Sequence, residues 1–175
     1  MAFLIIMPVI QALITDVPEL NVLVNSAYRG ETSKKGWTTE AHLLEGLRID
    51  EQTLLSYFEN PDIILLKNIS DDGSITGCVY LEKRAEKLYI GMFSVNPLLQ
   101  AKGIGRQLLL ATEDYAKKLN CHILTMTVIS TRLELINWYH RRGYQPTGEI
   151  LPFHHDKKFG KPKQPIELIV MEKTI

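Results

Sequence analysis

Gln100, Lys102, Gly103, Gly105 and Arg106 stand together immediately ahead of a long amphipathic run. In that run Ile104, Leu108, Ala111, Thr112, Tyr115 and Leu119 recur at steps of three and four. Arg106, Gln107, Glu113, Asp114 and Lys117 fall away from that stripe, and the pattern predicts a helix. The first turn of a helix carries unpaired backbone N–H groups and the positive end of the macrodipole. Glycines at 103 and 105 let a ligand approach that backbone without meeting a side chain, while Gln100 and Lys102 add donors and Arg106 adds charge. Such a cradle suits a pyrophosphate. The plainer reading is a tight strand-to-helix turn, because a lone G-x-G is weak evidence for a ligand. A dinucleotide fingerprint wants a third glycine where Leu108 stands and a parallel strand ahead of it. The G-K-S or G-K-T of a triphosphate-binding loop is absent.

Other chemistry is thinly supplied. Cys78 and Cys121 are the only cysteines, each inside an apolar segment, which leaves no material for a disulfide scaffold or a zinc ribbon and reads as two buried thiols. His154, His155 and Asp156 invite a metal reading, but adjacent histidines point apart and no third ligand has a clear spacing, so no metal is expected. Lysine plus arginine equals aspartate plus glutamate at 20 each, and a net charge of +0 gives no electrostatic footprint for nucleic acid.

The elements that must position the cradle alternate along the chain. An apolar run over residues 2–14, interrupted by Pro8 and Gln11 and lacking a basic leader, reads as an edge or first strand of a soluble cytoplasmic protein and is too short to span a bilayer. Thr15 and Asp16 can cap a helix with Pro18 in its first turn and Leu20, Leu23, Val24 and Ala27 on one face. Thr38 or Thr39 can cap a second helix through Leu43, Leu44 and Leu47, and a third short helix is expected over 50–59. Strands over 63–66, 75–81 and 88–95 are joined by short polar turns and read as an antiparallel meander. After the cradle helix come a strand over 123–129, a helix over 132–142 stopped by Gly143, and a last strand over 166–172. At 175 residues with 45% apolar content and no repeat, residues 1–175 are expected to form one α+β domain around a mixed, mostly antiparallel sheet.

At this point three segments, in order, resemble the signatures of the GNAT (GCN5-related) N-acetyltransferase family. Residues 100–105, Gln-Ala-Lys-Gly-Ile-Gly, are similar to its acetyl-CoA motif Q/R-x-x-G-x-G/A. "IGMFSVNP" resembles the family's central strand and following loop, and "NWYHRRGYQPTGE" its C-terminal motif L-Y-x-K-x-G-F. "AYRGE" and "GWTTEAHLLEG" extend the likeness toward the N-terminus. The resemblance implies that Gln100, Ala101, Lys102, Gly103, Ile104, Gly105 and Arg106 hold the pyrophosphate of acetyl-CoA, with Arg142 as a further phosphate contact. It assigns Phe93, Ser94 and Val95 to the pantetheine, along a strand that bulges and then splays from the strand at 123–129. It places Tyr139 beside the sulfur as the acid that protonates the leaving thiolate. On physics alone Tyr139 reads equally as a core aromatic next to Trp138.

The strand "KLYIGMFSV" has no carboxylate where many relatives keep a glutamate base. Glu134, Glu82, Glu31 and Glu45 are the substitutes considered, together with a water chain. The acceptor is expected between segments 28–45 and 153–165, with Tyr28, Arg29, Trp37, Glu134 and Phe153 as candidate contacts and Glu31 or Glu40 selecting charge. The activity implied is transfer of an acetyl group from acetyl-CoA to a primary amine by direct attack in a ternary complex. An acyl-CoA-binding sensor that has lost turnover is the alternative, favoured by the missing strand carboxylate. Expected partners are a small-molecule or peptide amine and, as one option, a second copy in a homodimer; neither nucleic acid nor membrane is expected.

Overall fold

A computed structural model describes residues 8–154 and 156–175, so residues 2–7 of the expected first strand, and His155 of the metal reading, lie outside the described residues. The chain lays down β1 (Val9–Gln11), α1 (Val17–Tyr28), the short α2 (Gly30–Ser33), β2 (Leu44–Glu45) and α3 (Glu51–Tyr57). The meander β3 (Ile63–Ile69), β4 (Ile75–Arg84) and β5 (Lys87–Val95) follows, then α4 (Ile104–Lys118), β6 (Ile123–Ile129) and α5 (Leu133–His140). Strands β7 (Gln145–Pro152), β8 (Lys161–Pro162) and β9 (Glu167–Thr174) complete it. One sheet of seven strands runs in the order β1-β3-β4-β5-β6-β9-β7, and β2 pairs with β8 apart from it. Its pairings are antiparallel except that of β5 with β6. This is the expected single-domain α+β architecture.

Alternation along the central strands divides the apolar residues between two cores. Leu66, Val79, Leu81, Leu88 and Ile90 meet Leu108 and Ala116 of α4 and Tyr139 of α5 on one face. Leu65 and Cys78 meet Leu20 and Val24 of α1 and Leu54 of α3 on the other. Each fully buried leucine contributes about 1.5–3 kcal/mol relative to exposure, so the helices are held by these stripes rather than by their short lengths. α4 is entered through Gly103 at φ +83 and carries Lys117 and Lys118 in its last turn, where they complement the dipole.

Three local expectations change. Asp16 precedes α1, but its side chain makes no cap bond; Oδ2 instead accepts from Leu13 N–H (2.7 Å) and Lys67 Nζ (2.6 Å). The helix expected through Leu43, Leu44 and Leu47 is absent. Leu43 and Leu44 are both buried against Ile129, β2 pairs with β8, and helix periodicity yields to this tertiary seat. Strand β7 escaped notice because Pro146, Gly148 and Pro152 break its pattern; it survives as an edge strand with a register shift between Pro146 and Ile150. No helix among the described residues is long and apolar enough to cross a membrane, and no group of three or more His, Cys, Asp or Glu among them is placed to hold a metal.

Candidate active site

The site begins with a change of face along β5. Leu88 and Ile90 point into the α4 core, but Met92 adopts φ +48 and turns into the opposite core. Cys78 pairs with Ser94 and Tyr80 with Gly91, so Met92 and Phe93 together oppose Val79 alone. An extra residue in a strand reverses the side chains beyond it. Phe93 and Val95 are thereby brought to the α4 and α5 side, where the Phe93 ring lies 5.9 Å from Trp138 and 6.2 Å from Tyr139. On its other side β5 pairs with β6 only at Lys87, Leu88 and Tyr89. Beyond Tyr89 the two parallel strands separate, leaving a wedge with the bulge on one wall.

A cavity of about 320 Å³ runs from this wedge to the start of α4, lined among others by Phe93, Val95, Gly103, Arg106, Tyr139 and Arg142. Ala101 at φ +66 and Gly103 at φ +83 turn the loop tightly into the helix. A side chain at Gly103 would meet nothing within 4 Å, so its absence keeps the approach to the backbone open. No residue of the first turn is acidic and no side chain caps it, which leaves the N–H groups there free for an anion. Gly105 has a different purpose: a Cβ there would lie 3.2 Å from Trp138 Cζ2, so this glycine seats the indole against the helix. The Arg142 guanidinium stacks 3.6 Å above that indole and donates through Nη1 to Trp138 O (2.9 Å). Its Nε is buried without a partner among the described residues. Burial, with Arg141 and Arg106 nearby, holds the Arg142 pKa below the ordinary arginine value. An arginine so placed fits a phosphate. The slot, the free amides and this unpartnered donor therefore fit a long ligand that ends in phosphates.

Tyr139 is 5% exposed, packed edge-on against Trp138 and Tyr144. Its hydroxyl has no hydrogen bond among the described residues. Burial, then the neighbouring Tyr28 and Tyr144, pushes its pKa well above the usual phenol value. The phenol thus stays protonated at any working pH.

A second cavity, of about 350 Å³, lies on the α1 side and shares Tyr28, Phe93, Arg132, Leu135 and Tyr139 with the first. Glu40, 6% exposed, is the knot of its wall. Arg29 Nε donates to Glu40 Oε2 (3.3 Å) and Arg132 Nη1 to Glu40 Oε1 (3.3 Å). Arg29 also donates to the carbonyls of Leu47 (2.7 Å) and Phe159, and Arg132 to Thr38 Oγ1 (2.6 Å). Burial lowers the Arg29 pKa in spite of Glu40. The network ties the loop after α2 to the loop before α5. Arg132 was not singled out from sequence; its position between β6 and α5 is the one local cue.

Other residues are moved from their expected places. Ser94 is buried with its hydroxyl donating to Met92 O (3.1 Å), on the face away from the slot, and Lys102 is exposed outside the lining. Ile104 sends its side chain into the core, and Gln100 Oε1 is taken by the Trp37 N–H (2.8 Å). Trp37 lines the first cavity rather than the second. Arg29 is locked by Glu40 and carbonyls. Glu134 lines neither cavity and accepts from Thr38 Oγ1 (2.9 Å). Phe153 and Tyr28 do line the second cavity. Glu31, Glu45 and Glu82, the other carboxylates considered as bases, line neither.

The profile of the Acetyltransferase (GNAT) family matches residues 26–144. The chain belongs to this family. The ribosomal-protein-S18-alanine N-acetyltransferase of Escherichia coli superposes with a TM-score of 0.72 at 16% identity, covering 96% of this chain and 93% of that one. The PaiA N-acetyltransferase of Thermoplasma acidophilum, solved with coenzyme A, gives 0.72 at 20% identity, covering 96% and 98%. At these identities the likeness concerns the GNAT fold. A Bacillus subtilis (strain 168) relative, the uncharacterized protein YdhI, is 29% identical over 77 residues, which is 44% of this chain and 47%, about half, of the relative's length.

Proposed function

We propose that this GNAT protein is an acetyl-CoA-dependent N-acetyltransferase that passes the acetyl group directly to a primary amine while both substrates are bound. The observation that carries the reading is that Tyr139 and Phe93 of the β5 bulge line both cavities, with their rings 6.2 Å apart. Acetyl-CoA, as co-substrate, supplies an activated acetyl thioester. The first turn of α4, Arg106 and Arg142 hold its phosphates, and Phe93 and Val95 wall its arm. Backbone N–H groups at the bulge, unpaired on the β6 side, stabilise negative charge on the acyl oxygen. Tyr139 gives its proton to the sulfur as the acyl bond breaks.

Direct transfer is preferred because the chain offers no nucleophile for an acyl-enzyme. Cys78 lies in the α1 core with its pKa pushed up to about 12 by burial, and neither Cys78 nor Cys121 lines either of the two cavities. Glu40 is committed to two arginines and Asp156 is exposed at the outer end of the second cavity. The acceptor therefore enters as a neutral amine, and its surplus proton passes to water along that cavity.

The test is an amine screen with acetyl-CoA, following free thiol and product mass, alongside thermal melting. Binding to the folded state alone raises Tm by mass action. Amine-dependent thiol release with an acetylated product supports the proposal. No shift at millimolar acetyl-CoA removes its basis, and binding without transfer to any amine leaves an acyl-CoA-binding module.

A further inference from the structure

The second cavity has a charge pattern that the transfer chemistry does not use. Three arginines line it, Arg29, Arg48 and Arg132, against the carboxylates of Glu40 and Asp156. Two of the three are spent. Arg29 and Arg132 share Glu40; Arg29 also donates to carbonyls, and Arg132 donates to Thr38 and stands 3.7 Å from Glu134 through its Nε. Arg48 differs. Its guanidinium makes no hydrogen bond or ion pair among the described residues; it lies over the Tyr28 ring, 5.0 Å from the centroid. The backbone beneath it is fixed, since Arg48 N–H and Ile49 N–H both donate to Asn25 Oδ1 (2.7 and 3.4 Å). Neither nearby acid pairs with it: Asp50 pairs with Lys158 (2.6 Å), and Asp156 is exposed and accepts the Lys158 N–H through Oδ1 (2.9 Å).

Arg48 therefore presents a half-buried, pre-positioned cation to a cavity whose wall also carries an apolar and aromatic patch of Phe93, Met126, Phe153 and Phe159. It stands one ring away from the reacting centre, because Tyr28 lines both cavities and Arg48 is the strongest charge acting on its phenol. A cation on an aromatic face that lacks a carboxylate partner is a ready fork for an oxyanion. A polycationic acceptor would meet like charge there. At about 350 Å³ the cavity is near the lower end of the roughly 300–1,000 Å³ of small-molecule sites.

We propose that the acceptor is a small primary amine bearing a carboxylate and an apolar or aromatic body, an amino-acid-like molecule, and that Arg48 is the residue that reads the carboxylate. The inference rests on the acetyl-transfer reading of the same site and deepens it. The body packs among Phe153, Phe159 and Met126, the carboxylate faces Arg48, and the amine is left toward Tyr139 and the β5 bulge.

The test uses the full chain saturated with coenzyme A and a panel of free apolar and aromatic amino acids, each paired with its neutral amide, with spermidine as the cationic comparison. Binding is read by calorimetry, and acetylation of each by product mass. The amides have the less basic amines and so more free base at neutral pH, so intrinsic reactivity favours them and a preference for the acid must come from the protein. At least one acid is expected to bind about tenfold or more tighter than its amide, as for a hydrogen bond to a charged group. Arg48→Met, which keeps a long side chain over Tyr28, is expected to bring that ratio toward one. Arg48→Lys should retain part of it. Coenzyme A affinity and Tm, measured on the same samples, report whether each variant is folded. No acid preferred over its amide, or a preference that survives in Arg48→Met, overturns the inference. Transfer to amides or spermidine but not to acids overturns it while leaving the acetyltransferase reading intact. Arg48-dependent acid binding in a protein that transfers no acetyl group would uphold the recognition site and sink the enzyme instead.

Discussion

The two cavities that meet at Tyr139 are made of different material. The first, proposed for the cofactor, is lined by side chains such as Trp37, Phe93 and Trp138 but owes its shape to the main chain: two left-handed residues, the free end of α4, a bulge at Met92 and Phe93, and a pair of parallel strands that part after Tyr89. The second, proposed as the acceptor cavity, is shaped largely by side chains drawn from α1, the loop around Glu40, β5, β6, α5 and the segment around Phe159. It is held open by buried ion pairs. Main-chain geometry tolerates most substitutions, so the slot suits a ligand that does not vary. A wall of side chains is re-specified by exchanging a few residues, so the acceptor cavity is where one member of a fold can differ from the next.

The sharpest way to break this contrast is to remove its knot. Glu40→Ala leaves Arg29 and Arg132 buried without their shared carboxylate, and loss of one partner from a buried pair costs about 3–5 kcal/mol. Denaturant unfolding should show that loss, while coenzyme A affinity of the remaining folded protein should change little, because Glu40 lies outside the slot and its side chain bonds to a slot residue only at Arg132, which is not among the residues proposed to hold the phosphates. An equal collapse of cofactor binding would mean that the two cavities are one mechanical unit.

Next in size is Tyr139→Phe, which keeps the ring against Trp138 and Tyr144 and removes the proton. Turnover on an accepted amine should fall by roughly 10²-fold or more, with cofactor affinity and Tm near those of the parent. Tyr139→Ala on the same preparation should instead cost about 3–5 kcal/mol of stability. Parental turnover in the phenylalanine variant, with the chemical step limiting, would return Tyr139 to the core and give protonation to water.

The same contrast explains what could be read in the sequence. The slot is legible because its parts are contiguous: the strand through Val95, the loop from Gln100 and the first turn of α4 follow one another, and Tyr139 and Arg142 share one short segment. Helix periodicity and glycine placement report such local geometry directly. Even so, the purpose of Gly105 and the turning away of Ser94 were hidden, since both depend on what lies opposite. The acceptor wall was mostly illegible. Arg29, Glu40 and Arg132 are separated by up to 103 positions, and no local pattern says that three charged side chains will be buried together. Leu43 and Leu44 point the same lesson: spaced for a helix, they are placed by Ile129 and by the pairing of β2 with β8.

The smallest expected effect concerns the roof of the acceptor cavity. Asp50 caps α3 by accepting the Thr53 N–H (2.8 Å) and pairs with Lys158 (2.6 Å), next to the Phe159 carbonyl that Arg29 holds. The hydrogen bond from Lys158, followed by that from Thr53, lowers its pKa from 3.8 to about 2. A carboxyl depressed in the folded state stabilises above its unfolded pKa, and that contribution fades as pH falls from about 4 toward about 2. Asp50→Asn keeps an acceptor for Thr53 but loses the charge pair with Lys158. The Tm difference between parent and variant should be present near neutral pH and shrink steadily below about pH 4, measured at each pH where both remain folded. Asp72, also held at about 2 by Ser70 and Ser74, is common to both proteins and cancels in the difference. Hydrogen exchange should show acid loosening around Lys158 and Phe159 before the start of α4, since the side chain of Asp50 bonds to Thr53 and Lys158 and lies outside the first cavity. A Tm difference that stays constant with pH, or exchange that rises equally at both places, would mean that the Asp50–Lys158 pair does not fasten the roof.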